Sequence, residues 1–215
     1  MIQPLQASDP VRQLTAGLAD LGLPAGEDTV NALLAFRDLI AHWNRHYNLV
    51  AKGDLGDFVA RHLLDSLAVS QYIGLGNLLD AGTGAGLPGV PLAITGPQRT
   101  VTLVDSNGKK IRFLNHVVRA LNLKNATPVQ ARLERFSPGV EFSTIISRAF
   151  TTLREFTGSV RHLAGADTRV LAMKGKAPTE ELRDLPAWVR VAEIRPIAVP
   201  GLVAERHLVV MSLAA

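Results

Sequence analysis

Between residues 30 and 50 the large apolar side chains stand at Leu33, Phe36, Ile40, Trp43, Tyr47 and Val50. The steps alternate three and four, which predicts an amphipathic helix with one buried stripe, its aromatic residues belonging to the core. A second, shorter helix is predicted over about residues 55–70, with Leu63, Leu64 and Leu67 on one side. A repeat of about 3.6 residues then places Arg61, His62, Asp65 and Ser66 together on the other side. From residue 77 the pattern changes to short apolar runs alternating with helix-length segments. Runs at 78–80, 101–105, 126–129, 143–147 and 170–173 predict five strands, and helices fill the gaps at 88–95, 109–123 and 152–163. Such alternation predicts an α/β fold with a doubly wound, mostly parallel sheet covered on both faces. Two late runs, 189–198 and 206–213, have no helix between them and predict an antiparallel edge hairpin with Pro200-Gly201 in its connection. The chain therefore divides into an N-terminal helical extension, 1–75, and one compact α/β unit, 76–215.

Composition narrows the chemistry. The 215 residues include no cysteine, which excludes disulfides, thiolate metal sites and any cysteine nucleophile. The histidines have no metal-ligand spacing, so no metal is expected. The stretch 81–98 is broken by five glycines and three prolines and cannot span a bilayer. Residues 1–14 carry no basic stretch leading into an apolar run, so a cytoplasmic location is the expectation, and a monomer the simplest state. The net charge is +4, yet residues 105–135 alone hold seven basic side chains against Asp105 and Glu134. A local excess of five positive charges suits a polyanion such as nucleic acid, although a solvated helix face has the same composition.

The most informative segment is Asp80-Ala81-Gly82-Thr83-Gly84-Ala85-Gly86-Leu87-Pro88-Gly89, where a strand enters clustered glycines and then a helix with Pro88 in its first turn. In an open α/β sheet such a turn lies at the carboxyl ends of the strands, where ligands bind. Gly84, Gly86 and Gly89 satisfy the dinucleotide spacing, and Asp105 follows about 20 residues later, where a ribose-binding acid belongs. Asp80, however, ends the strand just before the turn and opposes a pyrophosphate, whereas the sulfonium and ammonium of S-adenosylmethionine suit it. On that reading Asp80, Gly82, Thr83, Gly84 and Gly86 cradle the methionine part and Asp105 takes the ribose hydroxyls. A dinucleotide-dependent oxidoreductase and a non-catalytic RNA-binding module remain the competing readings.

If the reaction is methyl transfer, the missing cysteine argues against pyrimidine C5 as acceptor. Exocyclic amines usually meet an Asp/Asn-Pro-Pro-aromatic turn after the fourth strand. This chain has Ser147-Arg148-Ala149-Phe150 there. Guanine N7 has a free lone pair and no proton, so its methylation needs no general base. Arg148 is the candidate catalytic contact, to guanine O6 or a phosphate, and Phe150 is either a stacking platform or core. Lys174 and Lys176 after the fifth strand, Arg206 and His207 at the last run, Arg61, Lys109, Lys110 and Arg112 are candidate RNA contacts. His62 joins them, and reads better as a hydrogen-bonded surface histidine than as a catalytic proton shuttle.

Six ordered segments together resemble the bacterial 16S ribosomal RNA guanine-N7 methyltransferases, the glucose-inhibited division protein B family. They are Arg61-His62-Leu63-Leu64-Asp65-Ser66, the glycine turn, Asp105-Ser106 with Lys109-Lys110-Ile111-Arg112-Phe113-Leu114, Ile146-Ser147-Arg148-Ala149-Phe150, Met173-Lys174-Gly175 and Glu205-Arg206-His207-Leu208. The resemblance runs from about Trp43 to Val210. It implies a class I methyltransferase fold, S-adenosylmethionine as methyl donor, and N7 of one guanine in 16S ribosomal RNA as acceptor. Its cofactor positions fall on Gly82, Leu87, the Leu133-Glu134 pair and Arg148. Ala85 stands where many members have proline.

Overall fold

The computed structural model describes residues 9–51, 57–148, 150 and 152–214. Part of the predicted 55–70 helix, and Ala149 of the fourth-strand motif, lie outside them. Two helices come first, α1 (Pro10–Asp20) and α2 (Glu27–Tyr47). Asp9 caps α1 by accepting from the Val11 amide at 3.0 Å. The apolar stripe of α2 is buried as expected at Leu33, Phe36 and Ile40. Val50 lies beyond the helix, which ends at Asn48 in the left-handed region. It still packs on the core because the Asn44 amide bonds both its N–H and its C=O, each at 3.0 Å.

The second predicted helix has a different pitch. Val59–Leu64 is a π-helix that runs into α3 (Asp65–Leu67). The wider turn changes which residues share a face, and only Arg61 of the expected polar side is exposed. His62, Asp65 and Ser66 are buried, so the reading of His62 as a surface histidine is corrected.

Seven strands form one sheet: β1 (Leu78–Ala81), β2 (Val101–Asp105), β3 (Ala126–Gln130), β4 (Thr144–Arg148), β5 (Arg169–Lys174), β6 (Val189–Pro196) and β7 (His207–Leu213). Their order is β3-β2-β1-β4-β5-β7-β6, with β1 to β5 parallel and β7 antiparallel to both β5 and β6. The strand order reverses between β1 and β4, which makes their carboxyl ends the switch point. Helices α4 (Gly89–Thr95) and α5 (Gly108–Ala120) lie on one face and α6 (Leu153–Val160) on the other. Helix α4 starts at Gly89, one residue later than expected, with Pro88 in the capping position.

Period-two alternation sends neighbouring residues of one strand to opposite faces. Leu78, Leu103 and Ile146 join one apolar cluster with Phe36, Ile40, Leu63 and Phe113, while Leu79, Val104 and Ile145 join another with Phe156 and Val209. The helices before β1 thus share the core of the sheet's first face. Among the described residues no helix is long and apolar enough to cross a membrane.

Candidate functional site

The turn after β1 is held from inside. The Gly82 and Thr83 amides both donate to the Val104 carbonyl at 2.9 Å, anchoring the loop to β2. Asp80 is fully buried, and its Oδ2 accepts from the Thr83 hydroxyl at 2.6 Å and the Gly89 amide at 2.8 Å. One carboxylate oxygen therefore ties the end of β1 to the loop and to the start of α4. Desolvation pushes the Asp80 carboxyl up to about 6, against the pull of those two hydrogen bonds and of Arg148.

The proton is thus held more tightly in the folded chain than in the unfolded one. Asp80's contribution to stability is complete below its ordinary value near 3.8 and is lost as the pH rises through about 6. Relative to Asp80→Asn, the protein should gain about 2 kcal/mol as the pH is lowered from about 7.5 to 4.5. Urea melts of both proteins across that range check this, and parallel stability curves would refute it.

Gly82 has a φ of +71°, a conformation open to glycine at little cost. A Cβ there would also approach the Phe150 ring at 3.2 Å. Beside this turn lies a cavity of about 360 Å³, lined by Gly82, Val104, Asp105, Ser106, Lys110, Ala131, Arg132, Leu133, Glu134, Arg148 and Phe150. Five candidates for cofactor contact meet there: Gly82, Asp105, Leu133, Glu134 and Arg148. The other five belong to the turn itself. Asp80 and Thr83 are the internal brace of the turn, and Gly86 and Leu87 are buried beneath it. The Gly84 amide donates to Asp105 Oδ2 at 3.0 Å.

Asp105 is the best-connected acid at this cavity. Its Oδ1 accepts from the Asn107 amide at 2.8 Å, and its Oδ2 from Gly84 and, at 3.4 Å, from Lys110 Nζ. A carboxylate has about four lone-pair sites, so capacity remains for a ligand hydroxyl. Lys110, a candidate RNA contact, also forms part of the wall of this cavity. With Lys110, Arg132 and Arg148 facing Asp105 and Glu134, wall charge alone does not exclude a phosphate ligand. Asp80, buried and turned into the loop, does not decide the matter. Topology speaks more directly: an antiparallel β7 inserted between β5 and β6 departs from the all-parallel 3-2-1-4-5-6 order of dinucleotide-binding sheets.

A second cavity, about 410 Å³, opens on the other side of the same wall. Arg61, His62, Asp65, Arg148, Phe150, Met173, Lys174, Gly175 and Arg206 line it. Arg148 and Phe150 belong to both cavities. The Arg148 guanidinium bonds Asp65 Oδ2 and His62 Nδ1, each at 3.2 Å. Because a guanidinium only donates, His62 Nδ1 is the accepting nitrogen here. Arg206 Nε reaches Asp65 Oδ1 at 2.7 Å. Phe150 is half-buried against Phe156, their ring centroids 5.3 Å apart, and one cavity wall is the ring itself. It packs on the core and lines both cavities.

Lys174 lines the cavity already paired. Its ammonium pairs with both Glu181 carboxylate oxygens at 2.8 and 3.0 Å, and Glu181 also accepts from the Leu153 amide at the start of α6. The pair ties the end of β5 to the start of α6. His207 is half-buried at the head of β7 and lines neither cavity, while Lys109 and Arg112 stand exposed on α5 and Lys176 on the loop after β5. Asp65 and Glu181 are not among the site residues that the sequence pattern points to. The Arg61-His62-Asp65-Ser66 grouping was the signal for Asp65, and no spacing pointed to Glu181. Among the described residues there is no cluster of three or more metal-ligating side chains.

Comparison with known proteins places this geometry in context. The family described as rRNA small subunit methyltransferase G matches residues 29–209. The chain is 47% identical over 200 residues to the ribosomal RNA small subunit methyltransferase G of Pseudomonas aeruginosa (strain LESB58), covering 93% of this chain and 94% of that one. It is 46% identical over 203 residues to the protein of the same name from Alkalilimnicola ehrlichii, covering 94% and 92%. Among solved structures, the glycopeptide N-methyltransferase MtfA in complex with S-adenosylmethionine superimposes with a TM-score of 0.62 at 14% identity, covering 73% of this chain and 96% of that one. That likeness shows a shared methyltransferase fold.

Proposed function

The chain belongs to the rRNA small subunit methyltransferase G family, and from that premise we propose that it transfers the methyl group of S-adenosylmethionine to N7 of a guanine in 16S ribosomal RNA. The observation that carries this reading is the pair of cavities meeting at Arg148 and Phe150. Methyl transfer from a sulfonium is a direct displacement, so nucleophile, carbon and leaving sulfur must be held in line, roughly 3 Å apart. Two cavities with a common wall are suited to that.

The cavity beside the glycine turn fits the methyl donor. Its lining includes two carboxylates, Asp105 and Glu134, and Gly82 leaves open the space a side chain would fill. When bound, S-adenosylmethionine supplies the electrophilic methyl group. Asp105 accepts from the ribose hydroxyls, and Leu133 with the Glu134 backbone flanks the adenine.

The cavity between Arg61 and Arg206 takes the guanine. Phe150 stacks on the base, and Arg148 donates to O6 or to a neighbouring phosphate. The N7 lone pair is unprotonated, so no residue has to act as a base. Arg61 and Arg206 sit at the rim of this cavity and Lys109 and Arg112 on α5, as contacts for the RNA backbone. On this reading residues 1–75 complete the acceptor side, residues 76–215 form the methyltransferase domain, and the protein works in the cytoplasm as a monomer.

The test uses small ribosomal subunits from cells lacking the enzyme, incubated with protein and labelled methyl donor. Nuclease digestion and mass spectrometry should find 7-methylguanosine, and label on another base position, or none, would overturn the proposal. A narrower expectation concerns Asp105. Its replacement by alanine should weaken methyl-donor binding by about 1–3 kcal/mol, the worth of hydrogen bonds to a charged acceptor. Calorimetric titration reads this directly, and an unchanged affinity would remove Asp105 from the ribose site.

A further inference from the structure

The polar centre of the acceptor cavity is organised by one side chain that the reaction itself does not require. Asp65 is buried, its side chain 5% exposed, and each carboxylate oxygen is committed to a different arginine. Oδ2 accepts from Arg148 at the end of β4, 83 residues away in sequence, and Oδ1 accepts from Arg206 just before β7, 141 residues away. Three separate parts of the fold are joined at this carboxylate: the helical region before β1, the switch point of the parallel sheet and the antiparallel edge. Both arginine side chains are mostly covered, at 19% and 23% exposure, so neither is a freely moving surface group. Arg148 is held on a second side by His62 Nδ1, and His62 in turn packs on Phe58 with ring centroids 4.7 Å apart.

A long arginine has many rotamers, and a free one at this wall would swing into either cavity. Anchoring two of its nitrogens leaves the guanidinium in a single orientation between them, which lowers the entropy lost when substrate binds. We propose that Asp65 is a positioning residue for methyl transfer: it fixes Arg148 between the methyl-donor and acceptor cavities and holds Arg206 at the rim. The proposal rests on the functional reading given above. It also assigns the helical region a part in the chemistry, since that region supplies the carboxylate.

The test compares wild type, Asp65→Asn, Arg148→Gln and the double variant on unmethylated small subunits, with rates expressed per folded molecule from circular dichroism. Asp65→Asn should lower kcat about 100-fold, the scale of loss from misplacing a reacting geometry by about 1 Å. The double variant should be no slower than Arg148→Gln alone, because Asp65 acts through Arg148. Asp65→Glu, which keeps the charge, should recover at least tenfold of the loss. If Asp65→Asn does not fold, Asp65→Glu decides in its place: a reduced kcat with the same lack of additivity supports the proposal. Losses that multiply, or a lowered Tm with unchanged kcat, overturn it.

A readout independent of activity is nitrogen-15 NMR of the Arg148 guanidinium. Its Nη signals should be resolved in the wild type and averaged in the Asp65 variants, and identical spectra would overturn the proposal. A wild-type protein that methylates no guanine would overturn the functional reading, while these spectra would still decide the role of Asp65.

Discussion

Replacing Gly89 by alanine is expected to disable the methyl-donor site from beneath. The first residue of α4 lies against the sheet so closely that a Cβ would stand 2.6 Å from Asp80 Oδ2, 3.0 Å from Asp80 Cβ, and in collision with Leu103 Cδ2. Leu103 is fully buried in β2 and Asp80 is the brace of the turn, so neither can withdraw without moving other core groups. Inserting one methyl group into such packing costs about 1–3 kcal/mol, and this site should fall at the upper end. The Gly89 amide also donates to Asp80 at 2.8 Å, so displacing α4 loosens the turn that shapes the cavity. Methyl-donor affinity should fall at least about tenfold, equivalent to about 1.4 kcal/mol. Thermal melts and calorimetry check both effects. A variant as stable as wild type with normal affinity would show that the turn does not depend on this contact.

The second large effect is expected at Arg148. Lysine keeps the charge but has one compact ammonium in place of a planar fork, so it cannot reproduce the paired contacts to Asp65 and His62 while facing both cavities. Arg148→Lys should therefore reduce kcat at saturating methyl donor by about 100-fold or more. Initial rates on small subunits measure this, and a rate within about threefold of wild type would remove Arg148 from the reacting geometry.

Much of this architecture is legible in the residue pattern because the signals are local. Strand β2 matches its predicted limits, since four apolar or β-branched residues and the closing Asp105 lie between turn residues and both of its faces are largely buried. Helix α5 ends three residues earlier than its apolar pattern predicts. Asn122 adopts a φ of +50°, and the Asn122 and Leu123 amides turn back to the Arg119 and Val118 carbonyls, which closes the helix while leaving Leu123 packed on the core. The apolar period therefore runs past the helix it belongs to. At residues 59–64 the period itself misleads, because a π-helical turn carries His62 and Asp65 inward and a repeat of 3.6 cannot anticipate it.

The candidate site divides along the same line. Asp105 and Gly82 follow from the order of strand, turn and strand, so spacing finds them, whereas Glu134 is reached only through the family resemblance. Asp65 with Arg148 and Arg206, and Lys174 with Glu181, are pairings between side chains on different elements, and charge alone does not reveal which cation is already occupied. Lys174 illustrates this: as a sequence residue it is a basic group beside a glycine, and in the fold it is neutralised by Glu181. The position of Asp80 points to the cationic groups of the methyl donor, and spacing does not reveal that its Oδ2 also accepts from the loop's own amide and hydroxyl.

The most direct test of the central claim is a crystal structure with S-adenosylhomocysteine, the product that keeps every feature of the methyl donor except the transferred group. The account predicts its ribose hydroxyls on Asp105, its adenine beside Leu133 and Glu134, and its sulfur turned toward Phe150 and Arg148. The product lodged instead in the cavity between Arg61 and Arg206, or absent from both, would contradict it.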